Sequence, residues 1–354
     1  MSRRTTRILR AALAAMHYTG VDMLAAPYTR GAGVIFMLHR VDPVPPADFE
    51  PNRILKVTPE FIEAVIQHVI EQGFDILALD EVPARLAQGE ARRPFACFTF
   101  DDGYRDNLDV AYPIFKRYGI PFTVSIPTDY IDGKGELWWL MLEKAIASSG
   151  PSITVAIRGQ SVDYASATAD EKDAAFGEIY WQLRRLPEIE ARAIVDKLTA
   201  DRGISGEQLC RELMLTWDEL RALASDPLVT IGAHTCRHLA LAKIDEDEVR
   251  REMTASIARL EAELGKPCRH FSYPYGCEQS AGAREFRIAR EVGVATAVTT
   301  RKGMIEAAHA DALTAMPRLS LNGDFQDIRL VKVMLSGMPF ALWNAFVRRT
   351  DNAA

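Results

Sequence analysis

An α/β fold, built as a barrel or a doubly wound sheet, is the architecture that this 354-residue sequence predicts. Three observations carry that expectation. Short β-rich apolar runs recur along the chain, amphipathic helical stretches separate them, and the residues best suited to chemistry follow directly after the runs. The runs lie at 33–38, 74–79, 95–100, 122–126, 228–233, 270–273 and 294–299, with a last one near 313–319. Their apolarity is nearly continuous, which suits parallel strands covered on both faces.

The helices between them are marked by their ends. In TPEFIEAVIQHVIEQG, Thr58 can cap, Pro59 suits the first helical position and Gly73 closes the segment. Over 245–264, Val249, Met253, Ile257, Leu260 and Leu264 form one stripe, and Gly265 and Pro267 stop it. Strand and helix alternate about seven times, and functional groups are expected at the C-terminal ends of the strands. One stretch breaks the rhythm: residues 145–213 are polar and mainly helical, with a strand pair at 153–164, and read as an insertion serving as a lid or an oligomer contact. The organisation expected is a basic helical segment at 1–30, the α/β unit with its insertion at 31–322, and a helical segment at 323–354.

Composition narrows the function classes. The chain is 48% apolar and 25% charged, which excludes disorder as a whole. A net charge of −6 offers no broad cationic surface, so nucleic acid is not an expected partner. Five cysteines are too few and odd in number for a disulfide framework, and reduced thiols favour the cytoplasm. At the start, Arg3, Arg4, Arg7 and Arg10 precede the apolar run 11–16, as in a signal peptide. His17, Tyr18 and Asp22 interrupt that run before a cleavage site develops. The expectation is a basic amphipathic helix that packs on the domain or rests on an anionic membrane surface, giving a cytoplasmic protein peripheral at the inner face of the membrane.

Three motifs carry chemistry. Thr99-Phe100-Asp101-Asp102-Gly103-Tyr104 ends the run FACFTF. Adjacent carboxylates leaving a buried strand repel each other unless a cation compensates, and a divalent metal would do so while leaving one carboxylate free as a base. His234-Thr235-Cys236-Arg237-His238 ends the run LVTIGA, and the H-x3-H spacing would put both imidazoles on one side of a helical turn. Two histidines and a carboxylate with open positions form a catalytic metal set; Cys236 is expected to point away. Phe271-Ser272-Tyr273-Pro274-Tyr275-Gly276 is a rigid turn that can aim a backbone N–H into a site.

In this order the motifs resemble the polysaccharide deacetylase family, the NodB-homology or carbohydrate esterase family four domain, over roughly residues 33–321. The resemblance implies an irregular (β/α) barrel of about seven strands and a divalent metal, usually zinc, held by Asp102, His234 and His238. It also implies Asp101 as catalytic base and the Tyr275 backbone N–H as an oxyanion donor. The sequence departs from the family pattern at Ser272, where many members carry an arginine that orients the base; Arg318, in MPRLSL, is the candidate substitute. The Leu-x-His motif that provides the general acid is missing, since no histidine follows His309. His39, ending the first run, is the candidate for that role or for substrate binding. Tyr104, Tyr273 and Trp138 are the candidates for sugar contact, with one of Trp138 and Trp139 expected in the core. The resulting expectation is a hydrolase removing N-acetyl groups from an acetylated saccharide or glycolipid. The same motifs serve an O-acetyl esterase or a deformylase acting on a lipid-linked sugar, and a metal-containing saccharide-binding protein without turnover is the alternative of another class. Oligomeric state is left open.

Overall fold

A computed structural model describes residues 3–89 and 93–351, so the expected terminal segments reach beyond the described residues at 1–2 and 352–354. Seven parallel strands form the centre: β1 (Gly33–Leu38), β2 (Phe95–Phe100), β3 (Phe122–Ile126), β4 (Val229–Ala233), β5 (His270–Ser272), β6 (Thr296–Lys302) and β7 (Met316–Ser320). Each pairs with the next, and β1 pairs with β2 on one side and β7 on the other. The sheet therefore closes, and the choice between barrel and doubly wound sheet falls to the (β/α) barrel. Closure explains the continuous apolarity of the runs: β1 and β2 are buried at every position, facing the barrel interior and the helices outside.

The eighth run, expected at 74–79, is a strand only over Asp75–Ile76, on the edge of β2. Its remainder turns into the short helix Leu79–Glu81, so it is not a barrel stave. The expected caps are present. Thr58 accepts from the Phe61 N–H at the start of Pro59–Glu71, and Asp245 accepts from the Glu248 N–H at the start of Glu246–Leu264. Gly265 then ends the latter helix in the left-handed conformation (φ 64°).

Between β3 and β4 lie the helix Trp138–Ala147, the antiparallel hairpin Ser152–Ile157/Gln160–Ala165, and the helices Ala169–Leu183 and Glu188–Thr199. At the chain ends, the helices Arg3–Thr19, Val21–Thr29, Ile328–Leu335 and Met338–Asp351 pack on one another. No helix among the described residues is long and apolar enough to cross a membrane.

Barrel closure leaves no room at Gly33, where β1 begins beside β2. A Cβ there would lie 2.5 Å from the Phe95 carbonyl oxygen and 2.6 Å from its ring. Gly33→Ala is expected to destabilise the protein by about 1–3 kcal/mol, the usual cost of overpacking, read as a lower urea midpoint.

Candidate active site

The strand ends of the barrel's C-terminal face place the chemistry. β2 runs into Asp101, whose N–H bonds the Leu38 carbonyl (2.9 Å), and then into two successive left-handed residues, Asp102 (φ 75°) and Gly103 (φ 72°). Aspartate tolerates that conformation better than most residues, and a Cβ on Gly103 would come within 2.7 Å of Ile126. The turn sends the two carboxylates to different partners: Asp101 meets Arg318, and Asp102 meets His234 and His238.

The histidine segment is not the expected helical turn. Thr235 (φ 67°) and His238 (φ 57°) are both left-handed, and side chains from elsewhere take up the polar groups that a helix would have paired. The buried Glu252 carboxylate accepts from the Cys236 N–H (2.8 Å) and the Arg237 N–H (3.0 Å), and Thr235 Oγ1 accepts from the His238 N–H (2.9 Å). Arg192, from the insertion, donates to the carbonyls of Arg237 (3.0 Å) and His238 (3.3 Å). His234 donates through Nδ1 to the Ser272 carbonyl (2.6 Å), which leaves its Nε2 lone pair facing Asp102.

Asp102 Oδ1 lies 3.6 Å from His234 Nε2 and 3.4 Å from His238 Nε2. All three residues are buried, and one ligand atom from each falls within 4.8 Å of the others. Bonds of about 2.0–2.1 Å in a tetrahedral site put neighbouring ligand atoms about 3.4 Å apart, so the spacing suits a single ion. Asp102 Oδ1 is buried without a hydrogen-bond partner. Burial, and then the Asp101 charge, push the Asp102 carboxyl well above its usual range. Burial holds the His238 and His234 imidazoles below theirs, which favours their neutral forms. An orphaned carboxylate oxygen beside two neutral imidazoles is the donor set that a divalent cation completes.

Arg318 is fully buried, and its guanidinium is satisfied throughout. Nη1 donates to Asp101 Oδ1 (3.0 Å) and Thr99 Oγ1 (3.0 Å), Nη2 to Asp101 Oδ2 (2.6 Å) and Ser272 Oγ (3.0 Å), and Nε to the Thr299 carbonyl (2.8 Å). Burial alone would raise the Asp101 pKa, but the Arg318 charge and its paired hydrogen bonds hold it well below the usual carboxylate range. Burial carries His39 down to about 4 against the pull of Asp101, so it is neutral at pH 7. Tyr275 is left-handed (φ 59°) and its ring lies 4.7 Å from that of His238, between Arg184 (3.6 Å from the ring centroid) and Trp138 Nε1, which donates to its hydroxyl (2.8 Å).

These groups lie in a cavity of about 1460 Å³, lined by His39, Asp101, Asp102, His234, His238 and Tyr275 from the barrel. The insertion helix Ala169–Leu183 and the following Arg185 form another part of its wall, and Thr6, Arg7 and Arg10 of the first helix and the segments 51–55 and 323–324 also line it.

The polysaccharide deacetylase family profile matches residues 88–297, more than half of the chain, and includes all three motifs. The chain belongs to the polysaccharide deacetylase family. YxkH of Bacillus subtilis (strain 168), which carries a provisional polysaccharide deacetylase name, is 34% identical over 71 residues, 20% of this chain and 25% of that protein. The chain thus matches about a quarter of the length of that curated relative. Among solved structures, the Streptococcus pyogenes deacetylase PplD in complex with acetate is 18% identical with a TM-score of 0.54, over 85% of this chain and 97% of that one. IcaB from Ammonifex degensii is likewise 18% identical with a TM-score of 0.53, over 86% and 98%. At that identity the likeness is one of fold.

The deacetylase fold brings together Asp101, Asp102, His234, His238, His39, Tyr275 and Arg318, but not the three expected sugar contacts. Tyr104 is fully buried, with Arg40 over its ring at 4.9 Å. Tyr273 is a core residue that donates to the Thr314 carbonyl (2.8 Å) and packs on Phe271 and Phe286. Trp138 is buried in a stack on Tyr180 (5.1 Å), and its neighbour Trp139 lines the cavity instead, 5.2 Å from His238. The insertion, expected as a lid or an oligomer contact, walls the cavity, but the residues that line it were not singled out. Its signal is present in the sequence: Ala174, Gly177, Glu178, Trp181, Gln182 and Arg185 recur at helical spacing along one cavity-facing stripe, and Trp181 is 53% exposed on it.

Two outcomes follow. Arg318→Met strands a buried carboxylate and is expected to cost about 3–5 kcal/mol in chemical denaturation. Zinc added to chelator-treated protein is expected to raise the thermal midpoint, by the equivalent of about 2.7 kcal/mol at a hundredfold excess over Kd, and His238→Ala is expected to abolish the rise.

Proposed function

We propose that this polysaccharide deacetylase family member is a metal-dependent hydrolase that removes N-acetyl groups from an N-acetylated saccharide, oligomeric, polymeric or lipid-linked. The observation that carries the reading is the Asp102–His234–His238 cluster beside an ionised Asp101 clamped by Arg318, at the barrel mouth. A spare carboxylate next to three ligands has no use in a purely structural metal site, and this favours turnover over binding alone.

A divalent ion held by Asp102, His234 and His238, zinc being the expected one, supplies Lewis acidity that acidifies water and polarises the acetyl carbonyl. Asp101, kept ionised by Arg318, takes the proton from the attacking water. As the water oxygen bonds to the carbonyl carbon, the Tyr275 N–H donates to the developing oxyanion. Arg318 fixes both carboxylate oxygens of Asp101 and so performs the orienting role of the arginine that Ser272 replaces; Ser272 Oγ itself accepts from Arg318. Asp101 then passes its proton to the nitrogen, the C–N bond breaks, and acetate and a free sugar amine leave. His39 is neutral at pH 7, which suits hydrogen bonding to substrate better than arriving as an acid. The half-exposed Trp181 offers a flat apolar face for a sugar ring, flanked by Glu178, Gln182 and Arg185 for its hydroxyls.

The test is acetate release from zinc-loaded protein on N-acetylglucosamine oligomers, lipid-linked N-acetylated glycans, O-acetylated sugars and N-formylated sugars. Asp101→Asn is expected to lower turnover by about 10²–10⁴-fold while keeping the zinc-dependent rise in thermal midpoint. Wild-type turnover in that variant would remove Asp101 from the mechanism. Release from the esters or formamides alone would replace the N-acetyl substrate.

A further inference from the structure

The helices at the two chain ends carry a surface that the active-site chemistry does not use. Among the described residues, fourteen large hydrophobic side chains are exposed, and eight of them belong to these helices: Ile8, Leu9, Tyr18, Met23, Leu24, Tyr28, Leu342 and Trp343. Met23, Leu24 and Tyr28 are 74%, 77% and 89% exposed. The three helices concerned, Arg3–Thr19, Val21–Thr29 and Met338–Asp351, hold only 40 residues between them. They form one cluster, fastened where Thr29 Oγ1 donates to the Ser336 carbonyl (2.6 Å).

The first helix inverts the usual pattern of a surface helix. Leu13 packs toward the core, yet Ile8, Ala11, Ala12, Ala15 and Tyr18, at spacings i, i+3, i+4, i+7 and i+10, are all exposed. A helix that only covers a barrel presents polar residues along that stripe. The local charge is opposite to that of the chain: residues 1–30 contain five arginines against one aspartate, net +4, in a protein of net −6. Exposed apolar side chains on a segment of net positive charge suit the headgroup and acyl boundary of an anionic bilayer, and an exposed tryptophan such as Trp343 favours that boundary. A second protein copy would bring the same +4 against itself.

We infer that the terminal helices form a docking surface for an anionic lipid membrane, with Ile8, Met23, Leu24, Tyr28 and Trp343 entering the interface. Thr6, Arg7 and Arg10 of the same first helix line the catalytic cavity, so docking holds the cavity against the lipid surface, where a lipid-linked saccharide is presented. Docking itself stands independently of the proposed deacetylase activity.

The experiment is cosedimentation of the full chain with vesicles of phosphatidylcholine, with and without phosphatidylglycerol. Binding is expected only when phosphatidylglycerol is present, weakening as salt is raised. The double variant Ile8→Glu/Leu24→Glu is expected to bind at least about tenfold more weakly, with an unchanged thermal midpoint and unchanged acetate release from a soluble substrate. Absence of binding at low salt, or equal binding by the double variant, would overturn the inference. So would a wild-type dimer that the double variant converts to monomer, because the surface would then be covered by a second copy. Loss of acetate release from every substrate with vesicle binding intact would overturn the proposed activity and leave the docking surface standing.

Discussion

Asp101 and Asp102 are consecutive, both are buried, and neither can remain charged there unless a cation stands against it. The C-terminal face of the barrel is arranged around that constraint. Arg318 neutralises one carboxylate with an ion pair inside the protein, whereas the other is left with two neutral imidazoles and an unpaired oxygen. The two solutions differ in kind: Asp101 has a fixed cationic partner, and Asp102 has none among the described residues. The resulting asymmetry separates the environments of two identical residue types one peptide bond apart.

Backbone strain accompanies this arrangement. Among the described residues, Asp102, Thr235, His238 and Tyr275 are four of the five non-glycine residues with positive φ, and all four belong to the candidate site or its supporting turns. Each such residue costs on the order of 1–3 kcal/mol and persists only where its surroundings over-determine it. Glu252 and Arg192 do this for the histidine turn, one taking its N–H groups and the other its carbonyls. Arg192 comes from the insertion, which therefore supports the centre as well as walling the cavity.

The local parts of this design were legible in the sequence. TFDDG and HTCRH each hold their carboxylates or imidazoles within a few residues, so spacing points to a candidate metal set while the resemblance assigns the separate roles of Asp101 and Asp102, and the apolar runs located all seven staves. Arg318 was a candidate because Ser272 stands where the family pattern carries an arginine, and the structure pairs it with Asp101. The misread residues share a different cause. At a strand end, one residue of register decides between cavity and core, and aromatic character does not reveal which; Tyr104, Tyr273 and Trp138 fell inward while Trp139 faced the cavity. The H-x3-H turn defeated helical reasoning because Glu252 and Arg192, remote in sequence, replace the hydrogen bonds that a helix would have supplied. The lid expected of the insertion agrees with its place in the cavity wall, but the stripe that does the lining was not legible, because it faces a cavity that exists only after the barrel has closed.

The clamp on Asp101 also orders the molecule in time. Asp101 and Arg318 are separated by 217 positions, and β7, which carries the arginine, is the last stave and closes against β1, the first. A ribosome releases six of the seven strands before the partner for that carboxylate exists. Through most of synthesis Asp101 is thus an isolated acid in an open sheet, and its ion pair comes into being only as the final strand docks. Such long-range pairing makes for slow assembly. It also means that a product terminated before β7, though it retains six of the seven strands, lacks the cation that pairs with Asp101.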